Sequence, residues 1–212
     1  PRFEIDASWP KPLPNNWILG QIGGIFVDKD DNIWISQRPR TVNDRDKRAE
    51  RGDKSKCCFT APSVIQFDQQ GNVLNAWGNP TYHEGWPPAG NIHAIVVDKE
   101  HNVWISGSGR GNSIQKYTRD GKFLWDFGHR GPKPTPGQQL PPLQQNNQQT
   151  DILPNGVFIF TLDEPAQEIY LVEGKRVLVY GYDGSFKRGW GGHGMPLSEI
   201  TNTPTPPYTW TG

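Results

Sequence analysis

The stretch GGIFVDKDDNIWIS at residues 23–36 decides the fold, because it returns as HAIVVDKEHNVWIS at residues 93–106. The residues that recur unchanged 70 positions later are Ile25, Val27, Asp28, Lys29, Asn32, Trp34, Ile35 and Ser36. A second unit follows each copy: SVIQFDQQGNVLNAWG at 63–78, SIQKYTRDGKFLWDFG at 113–128 and, more loosely, RVLVYGYDGSFKRGWG at 176–191. Repetition of this kind indicates a chain built of stacked copies of one small unit.

Each unit predicts a pair of antiparallel strands. In the first unit, two short apolar runs flank DKDDN, in which four of five residues are turn formers. The runs are too short for helices and lack a 3.6-residue period. In the second unit, a glycine such as Gly71 or Gly121 stands where a tight turn needs a positive φ. Two such hairpins in series make one four-stranded sheet.

Four-stranded sheets repeated radially form a β-propeller, and each sheet is then one blade. We find a further copy of the first unit at 157–174, so three blades are predicted in a single all-β domain spanning 1–212. Because propellers generally have at least four blades, we expect an incomplete ring. An uncovered sheet face favours a homo-oligomer or a larger protein assembly.

Two long insertions interrupt the repeat, at 37–58 and at 131–150. The first is basic: residues 38–56 contain eight Lys or Arg against four Asp or Glu. Long loops on a rigid scaffold often hold the functional residues. No aromatic residues alternate with those charges, and the whole chain balances 22 basic against 22 acidic residues, so nucleic acid is not an expected partner. The second insertion is rich in Pro and Gln and is predicted to be extended or irregular.

The sequence also indicates where the protein is located and which redox state its cysteines have. No run of about 18 apolar residues occurs, so no membrane span is predicted. The chain starts at Pro1, which we interpret as a processed protein that is secreted or periplasmic. Cys57 and Cys58, the two cysteines, are adjacent. They form a vicinal disulfide, stay as thiols or bind a soft metal, and an oxidising compartment favours the disulfide.

The blades resemble NHL repeats. The opening FEIDASWPKPLPNNWILGQIGGIFVDKDDNIWIS (3–36), with the Arg-bearing loop after it, resembles bacterial secreted NHL-type propellers that are similar to peptidyl-α-hydroxyglycine α-amidating lyase. The resemblance runs from Phe3 to the PPYTW segment near the end of the chain. That family has six blades, so this chain looks like its N-terminal half.

The resemblance implies a catalytic arginine at Arg38 and a zinc-ligating histidine at His93, with zinc and a structural calcium ion as cofactors. The family's catalytic tyrosine has no match here. From the residues themselves, Arg38 is alternatively a solvated side chain paired with Asp44 or Asp46, and His93 a channel-lining histidine that binds water.

Aromatic residues at fixed places in the repeat are predicted to pack between blades: Trp34, Trp77, Trp104, Phe127, Tyr170 and Trp190. Four others outside the repeat, Trp9, Trp17, Trp86 and Trp210, stack either on sugars or on a neighbouring chain. The turn histidine His101 is expected to be solvated. Two functions follow: a binding and assembly module that self-associates or joins a larger complex, or a metal-dependent lyase that is active only if the ring is completed.

Overall fold

The chain folds into three four-stranded antiparallel sheets, with no α-helix among the described residues. A computed structural model describes residues 2–52, 55–79, 82, 86, 92–107, 113–128, 153, 156–174, 176–191 and 194–199. The strands are β1 (Trp17–Ile18), β2 (Gln21–Val27), β3 (Ile33–Arg38), β4 (Phe59–Thr60), β5 (Val64–Phe67), β6 (Val73–Trp77), β7 (Ile92–Val97), β8 (Val103–Gly107), β9 (Ile114–Tyr117), β10 (Phe123–Phe127), β11 (Ile159–Asp163), β12 (Glu168–Glu173), β13 (Arg176–Gly181) and β14 (Phe186–Gly191).

Each large sheet is a meander in which the chain order of the strands is also their spatial order. The first sheet is β2-β3-β5-β6, the second β7-β8-β9-β10 and the third β11-β12-β13-β14. Their first strands β2, β7 and β11 lie side by side, so the sheets are arranged radially as propeller blades. The predicted all-β fold with three blades is confirmed. Over the described residues the blades form an open arc and not a closed ring.

A buried aspartate fixes the first turn of the first blade and of the second. In the first blade, Asp28 Oδ1 accepts hydrogen bonds from the backbone N–H groups of Asp30 and Asn32, both at 2.9 Å, and Oδ2 accepts one from Trp34 Nε1 at 2.8 Å. The second blade repeats this arrangement between Asp98 and Trp104, at 2.9 Å. The conserved spacing in the repeat therefore joins the turn to the blade core through an indole N–H.

The second hairpin of each blade turns at a glycine, as predicted. Gly71, Gly121 and Gly184 have φ of +85°, +86° and +82°. An L-residue with a side chain rarely adopts this left-handed conformation, which explains why glycine recurs there.

The two blade-to-blade contacts form the cores. Trp34 and Trp77 of the first blade pack against the second blade, and Trp104 and Phe127 of the second pack against the third. Those four aromatic predictions are confirmed. Tyr170 and Trp190 occupy the corresponding repeat positions of the third blade, but they belong to neither core.

The N-terminal segment packs on the outer flank of the first blade. Trp9, Leu13, Trp17 and Leu19 pack against a core on that flank, and Trp9 lies 5.5 Å from Phe67 between ring centroids. Both tryptophans are thus partly buried against their own blade, a contact that neither of the two predictions for them included.

Trp86 is buried too, in the core between the first two blades, where its ring contacts Trp77 and Tyr117. Trp210 lies outside the described residues.

The insertion at 37–58 returns to the first blade through β4, which pairs in parallel with β1. It contains two short 3-10 turns, Pro39–Thr41 and Arg48–Arg51. The second insertion, at 131–150, lies outside the described residues. Within the described part of the chain, no helix has the length and hydropathy needed to cross a membrane.

Candidate functional site

Arg38 and His93, which lie 55 residues apart, meet at the inner edge of the first two blades. Arg38 ends β3, and its Nη2 lies 2.9 Å from His93 Nδ1 on β7. Its Nε donates to the carbonyl oxygen of Ile92 at 2.9 Å, and its Nη1 donates weakly to Gln21 Oε1 at 3.4 Å. Neither Asp44 nor Asp46 is among these partners of the guanidinium.

The approach of the two blades brings these side chains together. A Cβ at Gly23 on β2 would collide with the carbonyl oxygen of Ile92 on β7, so only glycine permits this spacing. On the other side of His93, the ring of Phe158 stands edge-on at 4.5 Å between centroids. Gly23, His93 and Phe158 hold equivalent positions in the three repeats, on or next to the first strand of each blade.

The contact with Arg38 determines the protonation of His93. Arginine stays protonated and only donates, so the Nδ1 facing it is an acceptor without a proton. Burial and the charge of Arg38 both lower the pKa of His93, which keeps the imidazole neutral. A neutral imidazole with a bare Nδ1 has its proton on Nε2. In this contact Arg38 is therefore the donor and His93 Nδ1 the acceptor.

The described residues do not fit the zinc site that the resemblance implies. Zinc ligation through His93 Nε2 would require the proton on Nδ1, where it would face the Arg38 donor. Ligation through Nδ1 is blocked by the same guanidinium. The described part of the chain contains no group of three His, Cys, Asp or Glu side chains that could hold a metal ion. We therefore derive no chemical step through zinc or calcium.

Cys57 and Cys58 lie at the end of the insertion, just before β4, with their side chains next to each other. The Ser55 side chain hydrogen-bonds within this turn to the backbone of Cys57. Cys58 also borders a shallow cleft beside Gly20 and Thr41. The vicinal bridge stays a prediction, tested below by mass.

A feature that the sequence reasoning missed is a charged cluster on the far face of the third blade. Glu168 accepts a two-pronged ion pair from Arg188, at 2.9 and 2.7 Å, and also pairs with Lys187 at 3.2 Å. Tyr170 donates to Glu168 at 3.0 Å. The hydrogen bond from Arg188 is the main cause that lowers the pKa of Glu168 to about 2, so this carboxylate is ionised at neutral pH.

The repeat alignment contains a signal for this cluster. Tyr170 replaces the tryptophans Trp34 and Trp104, and its hydroxyl donates to Glu168 and accepts from Arg188 at 2.6 Å.

No family model matches this sequence, and no curated protein matches it. Solved structures are similar to it at low identity. A streptogramin B lyase is 17% identical over 84% of this chain and 42% of its own, with a TM-score of 0.48. A catalytically inactive virginiamycin B lyase from Staphylococcus aureus, solved with quinupristin, is 16% identical over 85% and 43%, with a TM-score of 0.47.

A protein of unknown function from Bacteroides caccae is 10% identical over 81% of this chain and 46% of its own, with a TM-score of 0.49. The chain spans less than half the length of each of these three structures. Likeness at this level concerns the fold alone.

Proposed function

We propose that this chain is an NHL-type β-propeller module, secreted or periplasmic, that assembles with a second copy of itself through the open face of its third blade. The single observation that carries the proposal is a difference in burial between equivalent positions. Trp34 and Trp104 are 0% and 1% exposed because each faces the next blade. Tyr170, at the same repeat position in the third blade, faces no blade among the described residues.

The open face carries large apolar side chains beside Tyr170. Ile159 on β11 is 65% exposed and Val172 on β12 is 39% exposed. In the first two blades, such a surface is removed from water by the neighbouring sheet, at about 25 cal/mol per Å² of apolar area. Covering this face would therefore be favourable.

The charges of the same face are compatible with pairing between identical surfaces. Glu168 contributes a negative charge, and Arg188 and Lys187 contribute positive charges to one patch. An isologous interface joins the same patch of both copies, so a patch that carries both signs of charge can form ion pairs with the patch of the second copy. A face of one sign would repel its copy.

The test is the native mass across a dilution series, measured by light scattering coupled to gel filtration. The chain mass is 23.9 kDa. We expect twice that mass for the natural sequence and the monomer mass for Ile159→Lys. The matched control is Leu124→Lys, which places the same charge on an equally apolar, 45% exposed position of the outer strand of the second blade, and it should stay dimeric.

A third variant separates two arrangements of the dimer. Ile25 on β2 is 65% exposed, as Ile159 is, but lies on the flank of the first blade. If two arcs close one ring, Ile25→Lys should also give monomers; if the third blades pair with each other, it should not. A natural-sequence mass of 23.9 kDa at the highest concentration tested would overturn the proposal.

The alternative, a metal-dependent lyase resembling peptidylamidoglycolate lyase, depends on a metal at His93. The contact between Arg38 and His93 supports a shared site for the two residues, but its donor and acceptor roles oppose metal ligation. Equimolar zinc in the purified protein, lost in His93→Ala and retained in His101→Ala, would favour this alternative over assembly alone.

A further inference from the structure

Each blade has a buried aromatic residue near the end of its third strand, and an aromatic ring from outside the blade covers it. In the second blade, Tyr117 lies 5.0 Å from Trp77 of the first blade between ring centroids. In the third blade, Tyr180 lies 4.4 Å from Phe127 of the second blade. Both covering residues belong to the outermost strand of the preceding blade, β6 or β10.

In the first blade, the N-terminal segment takes the place of a preceding blade. Phe67 holds the position equivalent to Tyr117 and is 1% exposed. Its ring lies 5.5 Å from that of Trp9 between centroids. The two rings meet at 53°, the angle that also separates Phe127 and Tyr180. Trp9 thus covers its blade in the way that Phe127 covers the third blade.

The turns after the third strands show the same equivalence. In the second blade, a Cβ at Gly121 would lie 2.6 Å from Cδ2 of Trp77. In the first blade, a Cβ at Gly71 would lie 3.0 Å from Cδ1 of Trp9. Both turns are therefore approached closely by an aromatic ring from outside their blade, which is a further reason for glycine at these positions.

The residues that follow the two covering rings bind the same turns. After Trp77, the Tyr82 hydroxyl donates a hydrogen bond to the carbonyl oxygen of Gly121. After Trp9, the backbone N–H of Lys11 donates to the carbonyl oxygen of Gly71 at 3.0 Å. We call residues 6–11 the cap, because they reproduce on the first blade the ring contact and the hydrogen bond that the first blade supplies to the second.

The cap covers only part of the outer flank of the first blade. Ile25 on β2 pairs with Ile35, which belongs to the core beneath the cap, so both side chains face this flank. Ile25 is 65% exposed, and Val27, two residues further along the strand, is 54% exposed. Release of the cap would join these side chains to Phe67 in one apolar face, of the kind that the two blade junctions bury.

We infer that the cap stands in for the outermost strand of a preceding blade and keeps the third blade of a second copy off the flank of the first. Trp190 holds in β14 the position that Trp77 holds in β6, so it is the ring that would cover Phe67 of another copy. Because protein interiors are close-packed, Trp9 and Trp190 cannot both occupy the place above Phe67. A complete blade therefore docks on this flank only after Trp9 has left.

The experiment measures the dissociation constant for self-association of the full chain by sedimentation velocity across a dilution series. Trp9→Ala should lower this constant at least tenfold relative to the natural sequence, because it opens a second surface for association. Adding Trp190→Ala to Trp9→Ala should restore the natural value, because the ring that competes for the place above Phe67 is then missing. An unchanged constant in Trp9→Ala would overturn the inference. A monomeric natural sequence would refute the proposed assembly through the third blade but leaves this comparison intact.

Trp17→Ala is the matched control. Trp17 packs on the same flank, but from β1, where it pairs with Phe59, so its loss exposes apolar surface while Trp9 stays in place. It should leave the dissociation constant unchanged, as should Trp9→Phe, which keeps a covering ring. If Trp17→Ala tightens association as much as Trp9→Ala does, general exposure of apolar surface explains the effect and the cap is refuted.

Far-UV circular dichroism checks that each variant is folded. If Trp9→Ala is unfolded, Asp6→Ala replaces it. Asp6 Oδ1 accepts hydrogen bonds from the backbone N–H of Ser8 at 2.8 Å and from its hydroxyl at 2.6 Å, in the exposed turn that leads to Trp9. Asp6→Ala loosens the cap without removing a buried side chain, so it should also lower the dissociation constant, and an unchanged value would again overturn the inference.

Discussion

Replacing Asp98 with alanine should lower the free energy of unfolding by about 3–5 kcal/mol. The carboxylate is 2% exposed and accepts hydrogen bonds from Trp104 Nε1 at 2.9 Å and from the backbone N–H of Asn102 at 2.7 Å. It also pairs with Lys116 Nζ at 3.2 Å. The substitution therefore leaves several donors without their acceptor.

The magnitude follows from where each donor lies. The indole of Trp104 is buried, so its unsatisfied N–H costs about 1–3 kcal/mol. The turn amide of Asn102 loses a bond worth about 1 kcal/mol. The Lys116 side chain is partly exposed and lies 4.5 Å above the Trp104 ring, so it keeps part of its stabilisation and the lost ion pair adds only about 1 kcal/mol.

The assay is urea denaturation followed by far-UV circular dichroism, with Asp68→Ala as the matched control. Asp68 occupies the turn of a second hairpin, is partly exposed, and accepts from the turn, including Asn72 at 2.8 Å from the backbone N–H and 2.7 Å from the side chain, but from no buried indole. We expect this variant to lose about 1 kcal/mol. Equal losses for Asp68→Ala and Asp98→Ala would refute the reasoning, because the buried indole partner would then contribute nothing.

Three further outcomes are expected. Intact-mass spectrometry should show a gain of two hydrogens when the Cys57 to Cys58 bridge is reduced, and an unchanged mass would exclude it. Gly23→Ala should destabilise the chain by about 1–3 kcal/mol in the same urea assay, because its Cβ would collide with the Ile92 carbonyl oxygen; natural stability would show that the two strands separate freely. The melting temperature should fall as the pH drops below 3.8, the ordinary pKa of an aspartate. Burial raises the pKa of Asp98, but the hydrogen bonds from Trp104 and Asn102 together lower it more, so this pKa is lower in the folded chain than in the unfolded chain. The stabilisation from Asp98 is therefore present above pH 3.8 and is lost in acid, where the unfolded chain takes up the proton first. A melting temperature that stays constant between about pH 5 and pH 2 would contradict this.

The sequence predicted some features of the candidate site and not others. Arg38 and His93 were predicted as site residues through a resemblance, and the repeat itself predicts only that His93 lines the channel. Their direct contact was not predictable, because it depends on how closely β2 approaches β7. That distance is set by Gly23 against Ile92, a contact between blades and not within a repeat. Because the blades approach so closely, the Arg38 guanidinium contacts His93 Nδ1, and this contact opposes the metal ligation that the resemblance implies for His93.

Contacts between turns were not predictable from the sequence either. His101 was expected to be solvated because it lies in a turn, yet its Nε2 is 3.3 Å from Asp30 in the equivalent turn of the first blade. Radial stacking brings equivalent turns side by side, so two residues far apart in the sequence become partners. A cleft of the first blade arises similarly, since three residues that line it, Trp17, Arg40 and Trp77, come from separate parts of the chain.

The sequence by itself determined the repeating unit, its turns and the aromatic positions that pack between blades, because these depend on local backbone preferences and a two-residue strand period. The tertiary structure alone decided which of those positions is covered. Trp34 and Tyr170 hold equivalent places in the repeat, but the first has a neighbouring sheet and the second has none among the described residues. Burial depends on what lies beyond the repeat, and a local pattern contains no information about its neighbour.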